Sequence, residues 1–164
     1  MGITERQATL TSIWNLILPN SELHAGTRAE GNGSSKVAFK LGNDQAYKIL
    51  KNGITSKAIN PVGKFLGLNK ALIASYLELD RGTVARLATK NQPLPTHAAE
   101  NVLRLLELDG QARETFSSEE EAFAWLNRSH PMLDGDTPLA AAKTSYGTQR
   151  VKDILLAIQY GGVV

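Results

Sequence analysis

Four polar side chains near the start of one short predicted helix could read DNA. Asp80 can cap this helix. Helical spacing then places Arg81, Thr83 and Arg86 on the outward face, and Lys90 extends the polar edge. Arginine can contact guanine through two hydrogen bonds or bind phosphate, and threonine can contact a base or the backbone. This pattern is typical of a helix that lies in a DNA groove. The alternative is a corner of a small helical protein whose charges are solvated.

The segment that would position these side chains is "LIASYLELDRGTVARLAT", residues 72–89. It predicts two helices joined by a very tight turn. Ala74 is small where the two helices must approach, and Leu79 can fill the turn. Glu78 occupies the turn position at which a helix-turn-helix commonly has glycine. We therefore predict a helix-turn-helix whose second helix presents its N-terminal side chains to the major groove.

Signals for catalysis are weak. The three histidines, His24, His97 and His130, fall in different predicted elements, and the absence of cysteine excludes disulfides and thiolate chemistry. A glycine-rich segment carries Asn32 where a phosphate loop requires lysine. The acidic run Glu119–Glu121 suits the positive end of a helix dipole better than a metal site. We expect no catalytic residue, no metal and no cofactor. A small enzyme that uses His130 or Glu119–Glu121 is the alternative, which an activity screen would test.

Composition and charge favour a globular protein of one or two domains. The 164 residues are 42% hydrophobic, with a net charge of +2. No apolar run approaches the roughly 20 residues that span a bilayer, and the N-terminus lacks a secretory pattern, so we expect a cytoplasmic protein without a membrane partner. Residues 42–109 carry nine basic and six acidic side chains, a net charge of +3. Residues 110–164 carry five and seven, a net charge of −2. This polarity is compatible with DNA contact in the middle of the chain.

Apolar periodicity predicts an all-α chain in three parts. Residues 1–41 would form a flexible N-terminal extension, with a helix over 4–18, a glycine- and serine-rich linker over 19–36 and a short strand over 36–41. Residues 42–109 would form the helix-turn-helix domain, ending in a long helix from Thr96 to Leu108 that Gly110 closes. Residues 110–164 would form a small helical domain.

Capping residues predict the helices of this last part. Ser118 with Glu121 has the spacing of a capping box and would start a helix through Leu126. Thr137 followed by Pro138 would start the next helix, with Gly147 beyond its end, and Thr148 would cap the last one. The residues that we expect to be structural are Trp125, Pro138, Gly147, Val151 and Leu155.

The end of the chain is unusually apolar. Gly161 and Gly162 separate Tyr160–Val164 from the last predicted helix. Either the helix completes the core of the domain, or its apolar tail docks on a partner. Simple core packing accounts for the inward residues of the helix but less well for the tail.

The two halves of the chain together resemble a known family. Residues 116–161 resemble the toxin-binding domain of the Xre/MbcA/ParS antitoxins, and the middle section resembles the Xre-type helix-turn-helix that precedes it. The resemblance covers roughly residues 42–164. The positions that carry it in the last part are Ala122, Trp125, Leu126, Leu133, Gly135, Pro138, Leu139, Thr144, Gly147, Val151, Leu155 and Gly161.

This resemblance implies an antitoxin of a type II toxin–antitoxin pair. Its partner would be a RES-domain toxin that consumes NAD or uses it for ADP-ribosylation. Members are typically homodimeric, bind their own operon promoter, and cover the active site of the toxin with the C-terminal region. By position, Arg81, Thr83, Arg86 and Lys90 would face DNA. The residues that would face the toxin are Thr148, Lys152, Leu156, Tyr160, Gly161, Gly162, Val163 and Val164. The alternative is a stand-alone transcription regulator whose C-terminal domain serves dimerisation.

Overall fold

Helices account for all the regular structure in the parts of the chain that the structure describes. The computed structural model describes residues 3–18 and 41–161. The helices within these ranges are α1 (Ile3–Ile17), α2 (Asn43–Asn52), α3 (Ile59–Leu66), α4 (Lys70–Tyr76), α5 (Arg81–Lys90), α6 (Thr96–Thr115), α7 (Glu119–Leu126), α8 (Pro138–Ala141) and α9 (Ser145–Gln159). The all-α prediction is confirmed for these residues. The predicted linker and residues 36–40 of the predicted strand lie outside them.

Two compact units make up the chain, Met1–Leu103 and Arg104–Val164. We expected Gly110 to end the long helix that begins at Thr96. Instead α6 continues to Thr115, and Gly110 is buried within it. Burial of the helix outweighs the cost of about 1 kcal/mol that glycine brings to a helix interior. None of the helices in the described ranges is both long and apolar enough to cross a bilayer.

The first unit includes α1. Leu10, Ile13 and Ile17 form its buried face, and α1 packs against α3. Arg6 is also buried: its Nη1 donates to the carbonyl oxygen of Phe65 at 2.6 Å, and its guanidinium lies 4.5 Å from the centre of the Phe65 ring. A cation over an aromatic face is favourable, so this contact helps to fix α1 on the unit.

Trp125 forms the aromatic centre of the second unit. Its side chain is 7% exposed, and its ring centre lies 5.6 Å from that of Phe116 and 5.9 Å from that of His130. The expected cap of its helix is present, because the Ser118 hydroxyl accepts a hydrogen bond from the Glu121 amide at 3.1 Å. The capped helix α7 therefore carries Trp125 into the core.

The start of α9 differs from the sequence prediction. Helix α8 is one turn long, and Thr144 rather than Thr148 caps α9 by accepting from the Gly147 amide at 3.0 Å. Gly147 thus lies in the first turn of α9 and not beyond the end of α8. Both threonines can cap a helix, and local sequence did not distinguish them. Pro138, in contrast, begins α8 behind the Thr137 cap as expected.

Gly147 is required by a close approach of the backbone. A Cβ atom at this position would lie 1.9 Å from the carbonyl oxygen of Ala141. We expect Gly147→Ala to lower the free energy of unfolding by about 1–3 kcal/mol, because the two backbone segments must separate. Denaturant unfolding of the variant measures this loss. Gly82→Ala in α5 is the control: its nearest atom would be the Asp80 Oδ1 at 3.1 Å, so the change should stay within about 1 kcal/mol. Equal effects of the two substitutions would contradict the assignment.

Candidate functional site

A tight turn joins α4 to α5 and sets the direction of α5. The Leu79 amide donates to the Ala74 carbonyl oxygen at 2.9 Å, and both side chains are buried. Glu78 has a φ of 55°, in the left-handed region, and its side chain is exposed. The turn thus has the small residue at the close approach and the apolar filler that the sequence predicts. It also requires the backbone conformation that glycine adopts most readily.

The strain at Glu78 gives a stability prediction. A left-handed conformation costs a residue with a Cβ atom roughly 1–2 kcal/mol, while glycine loses more entropy on folding. We expect Glu78→Gly to raise the free energy of unfolding by about 0.5–1 kcal/mol. Glu78→Ala keeps the Cβ atom and should not produce this gain. Thermal unfolding of both variants tests the prediction, and it fails if alanine stabilises as much as glycine.

The N-terminus of α5 carries a hydrogen-bonded ring between Asp80 and Thr83. Oδ1 of Asp80 accepts from the Thr83 amide at 2.9 Å, and Oδ2 accepts from the Thr83 hydroxyl at 2.5 Å. These hydrogen bonds hold the pKa of the Asp80 carboxyl below its usual value. Asp80 is therefore an ionised cap, as the sequence predicts, and it also fixes the side chain of Thr83.

The basic side chains of α5 are accessible. Arg81, Arg86 and Lys90 are exposed, and Thr83 is half-buried among them. Nη1 of Arg86 donates to Oε1 of Gln92 at 3.3 Å, just beyond the end of α5. The backbone amide of Gln92 donates to the Leu87 carbonyl oxygen of α5 at 3.1 Å. All four predicted DNA-binding residues thus lie on one short helix, and three of them are open to solvent.

On the second unit, α9 presents an outer face with large apolar side chains. Leu156 is 48% exposed, and Tyr160, which caps the C-terminal end of α9, is 81% exposed. Lys152 precedes Leu156 by one helical turn and is half-buried. Because residues four apart share a helix face, these three predicted toxin-binding residues line up on it. The opposite face is in the core, where Val151 and Leu155 are buried as the sequence predicts.

Lys152 also has a partner within the unit. Its Nζ lies 4.0 Å from the Glu107 Oε2. Burial raises the pKa of the Glu107 carboxyl above its usual value, and the charges of Lys152 and Arg104 oppose that rise. The ammonium group of Lys152 is thus held at the edge of the outer face by a half-buried carboxyl group.

Other predicted toxin-binding residues are placed differently. Thr148 is 6% exposed, and its hydroxyl lies 2.8 Å from the Thr144 carbonyl oxygen, so it does not reach the surface. Gly161 is exposed with a φ of 74°, and Gly162–Val164 lie outside the described residues. Sequence reasoning missed Tyr146, which is 92% exposed. Its separation of 14 residues from Tyr160, close to four helical turns, could have placed the two rings on one face.

The acidic run shows no sign of a metal site. Glu119, Glu120 and Glu121 occupy the first turn of α7, where negative charge favours the helix dipole. Among residues 3–18 and 41–161, the structure brings together no group of three or more histidine or acidic side chains that could hold a metal ion. The helix start is a sufficient explanation for these three glutamates.

Comparison with known proteins identifies the second unit. Residues 111–161 match the antitoxin Xre/MbcA/ParS C-terminal toxin-binding domain, which confirms the resemblance seen in residues 116–161 of the sequence. The match runs from the end of α6 through α9 and so includes Leu156 and Tyr160. The chain is also 29% identical over 155 residues to the Prs ADP-ribosylating antitoxin of Sphingobium sp. (strain YBL2), a similarity that covers 86% of this chain and 98% of that relative.

Proposed function

Residues 111–161 belong to the Xre/MbcA/ParS antitoxin family, and on this premise we propose that the chain neutralises a RES-domain toxin by covering its active site. The protein is an antitoxin and not an enzyme, so its function is binding. The observation that carries the proposal is the outer face of α9, where Leu156 and Tyr160 are exposed inside the matched domain. Large apolar groups in such a position are typical of a surface that a partner buries.

The physical basis is burial of this face against the toxin. Burial of apolar surface makes the free energy of binding more favourable by about 25 cal/mol for each square ångström that is removed from water. Leu156 and Tyr160 would supply the anchors, Lys152 a charge at the edge, and Gly161–Val164 a continuation into the cleft that holds NAD. Because the Sphingobium relative is named an ADP-ribosylating antitoxin, we infer a toxin that acts through NAD chemistry, by NAD consumption or by ADP-ribosylation.

Co-purification tests the partner. The chain would be expressed with a RES-domain toxin encoded beside it, with an affinity tag on the toxin only. A stable complex that survives gel filtration, together with restored growth of the host, is the expected result. Growth arrest that the chain does not relieve, with no complex formed, would refute the proposed partner.

We further propose that α4 and α5 form a helix-turn-helix that binds the promoter of the operon as a homodimer. Support comes from the tight turn at Glu78, the ionised cap Asp80 and the exposed basic side chains of α5. In such a motif the second helix enters the major groove, while basic side chains also contact phosphates. Binding would let the antitoxin repress its own synthesis.

The double substitution Arg81→Ala with Arg86→Ala tests DNA binding. We expect promoter binding to be lost, because both contacts to guanine or phosphate are removed. Both side chains are exposed, so the free energy of unfolding should change by less than about 0.5 kcal/mol. Fluorescence anisotropy with labelled promoter DNA measures the loss, and wild-type affinity should fall steeply with salt. A double variant that binds the promoter normally would contradict this role.

The same α9 face could instead serve dimerisation of a stand-alone regulator. Exposed Leu156 and Tyr160 suit a second copy of the chain as well as a toxin. Analytical ultracentrifugation separates the two functions. If charged substitutions on this face convert a dimer to a monomer and the wild-type chain binds no toxin, the protein is a stand-alone regulator. If the substitutions abolish toxin binding and leave the dimer intact, the protein is an antitoxin.

A further inference from the structure

We propose that Thr83 selects a base that donates a hydrogen bond in the major groove, adenine or cytosine, and that Asp80 sets this preference by holding the hydroxyl proton of Thr83. Thr83 is then a specificity-determining residue and Asp80 is its positioning residue. The proposal rests on the proposed binding of DNA by α5 and adds which bases the helix prefers.

The direction of the hydrogen bond between the two side chains is fixed by chemistry. The Asp80 carboxylate accepts from the Thr83 amide through Oδ1 and lies 2.5 Å from the Thr83 hydroxyl through Oδ2. An ionised carboxylate has no proton to give, so the threonine hydroxyl must be the donor. A hydroxyl has one proton and two lone pairs. Thr83 can therefore offer DNA only an acceptor while this ring is intact.

The position of Thr83 on α5 suits contact with a base edge. It lies in the first turn, between exposed Arg81 and exposed Arg86. The N-terminal residues of a recognition helix are those that reach base edges. Because Thr83 is half-buried and fixed by Asp80, it would meet a base with little further loss of side-chain freedom.

The groove chemistry then separates the bases. Adenine presents the N6 amino group and cytosine the N4 amino group as donors, whereas guanine and thymine present acceptor oxygens. Phosphate oxygens are acceptors as well. Because the Thr83 hydroxyl donates its proton to Asp80, its oxygen can only accept a hydrogen bond from one of these amino groups. The two arginines have the opposite preference, since guanidinium donates to guanine and phosphate. The helix would thus combine donor contacts from the arginines with one acceptor contact from Thr83.

Selection of bound sequences from a randomised promoter tests Thr83 directly. Wild-type protein should enrich adenine or cytosine at one position of each half-site. Thr83→Val keeps the shape of the side chain and removes the acceptor, so this enrichment should fall about tenfold, equivalent to about 1.4 kcal/mol. Preferences at the other positions should remain, because the arginines are unchanged. Preferences that are identical at every position in Thr83→Val and wild type would overturn the proposal.

Asp80→Asn tests the direction of the hydrogen bond. Asparagine caps a helix about as well as aspartate, and its amide oxygen can still accept from the Thr83 amide. Its amino group can now donate to the Thr83 hydroxyl, which frees the threonine proton for DNA. The enrichment of adenine or cytosine should fall, because the threonine oxygen keeps one lone pair for their amino groups but can now also donate to guanine or thymine. If the preference stays as in wild type while Thr83→Val alters it, Asp80 does not set the polarity.

Glu78→Gln is the matched control for charge. It removes an exposed carboxylate two residues before Asp80 without touching Thr83. Both charge-removing substitutions should raise affinity for all DNA, but only Asp80→Asn should weaken the preference for adenine or cytosine. A Glu78→Gln protein with the same altered preference would overturn the proposal. If the wild-type protein binds no DNA, the proposed DNA-binding function is itself wrong. If it binds DNA with a base preference that does not depend on Thr83, only the proposal about Thr83 is wrong.

Discussion

Replacing Leu156 and Tyr160 together by aspartate is expected to weaken toxin binding by at least about 100-fold, equivalent to about 2.7 kcal/mol. Tyr160 is 81% exposed and Leu156 is 48% exposed in the free chain, so the double variant should still fold, which circular dichroism checks. In the complex, the two carboxylates would replace apolar groups in a surface from which water is removed, and burying an unpaired charge is costly. Calorimetric titration of a catalytically inactive toxin measures the loss.

A matched control comes from the first unit. Tyr47 on α2 is 67% exposed and lies outside the toxin-binding domain. Tyr47→Asp adds a charge at an exposed aromatic position and should leave toxin binding unchanged. A Leu156 and Tyr160 double variant that binds as tightly as the Tyr47 control would exclude the outer face of α9 as the contact surface.

Trp125→Ala is expected to lower the free energy of unfolding by about 3–5 kcal/mol. The indole is 7% exposed and packs against the rings of Phe116 and His130. Removing it leaves a cavity that α7 can close only by moving, because helix ends on both sides are fixed by caps. Denaturant unfolding followed by circular dichroism measures this loss.

Tyr146→Ala is the control for Trp125. The Tyr146 side chain is 92% exposed, so its removal should change stability by less than about 0.5 kcal/mol. If Trp125→Ala costs less than about 1 kcal/mol, the tryptophan does not organise the core of the second unit.

Local capping chemistry made several helix starts predictable. Asp80 and Ser118 each accept from the amide three residues later, as their types and spacing indicate. The interval from Thr137 to Gly147 was less predictable, because Thr144 and Thr148 are equally good caps in the sequence. Thr144 is the cap in a sharp turn between α8 and α9, in which Gly147 lies close to the Ala141 carbonyl group. Apolar spacing within one segment carries no information about such an approach.

Packing between segments distant in sequence was also beyond local patterns. The helix of residues 4–18 was predicted, but its contact with α3 through Arg6 and Phe65 was not. Likewise, local preference predicts that Gly110 ends the helix, but Gly110 is buried within α6. In both cases the free energy comes from contacts with the rest of the unit, which outweigh local preference.

The exposure of the basic side chains on α5 could be predicted from the sequence, but the hydrogen bonds around them could not. Arg81, Arg86 and Lys90 are accessible on α5, as the pattern implies. The hydrogen bond from the Thr83 hydroxyl to Asp80 depends on the geometry of the cap and could not be predicted from residue spacing. On α9, Thr148, Lys152 and Leu156 were expected to face the toxin together, but Thr148 is 6% exposed and Leu156 is 48% exposed. With 3.6 residues per turn, a row of residues four apart rotates by about 40° around the helix at each step, so its first member lies in the core.

Titrating NAD consumption by the toxin with the full-length chain tests the central claim most directly. If inhibition comes from covering the active site, as we propose, consumption should fall in proportion to the chain added and stop at a fixed molar ratio. The Leu156→Asp and Tyr160→Asp double variant should leave consumption near its uninhibited rate at the same concentrations. Undiminished NAD consumption at a saturating excess of the wild-type chain would contradict the assignment of this protein as the antitoxin of a NAD-consuming toxin.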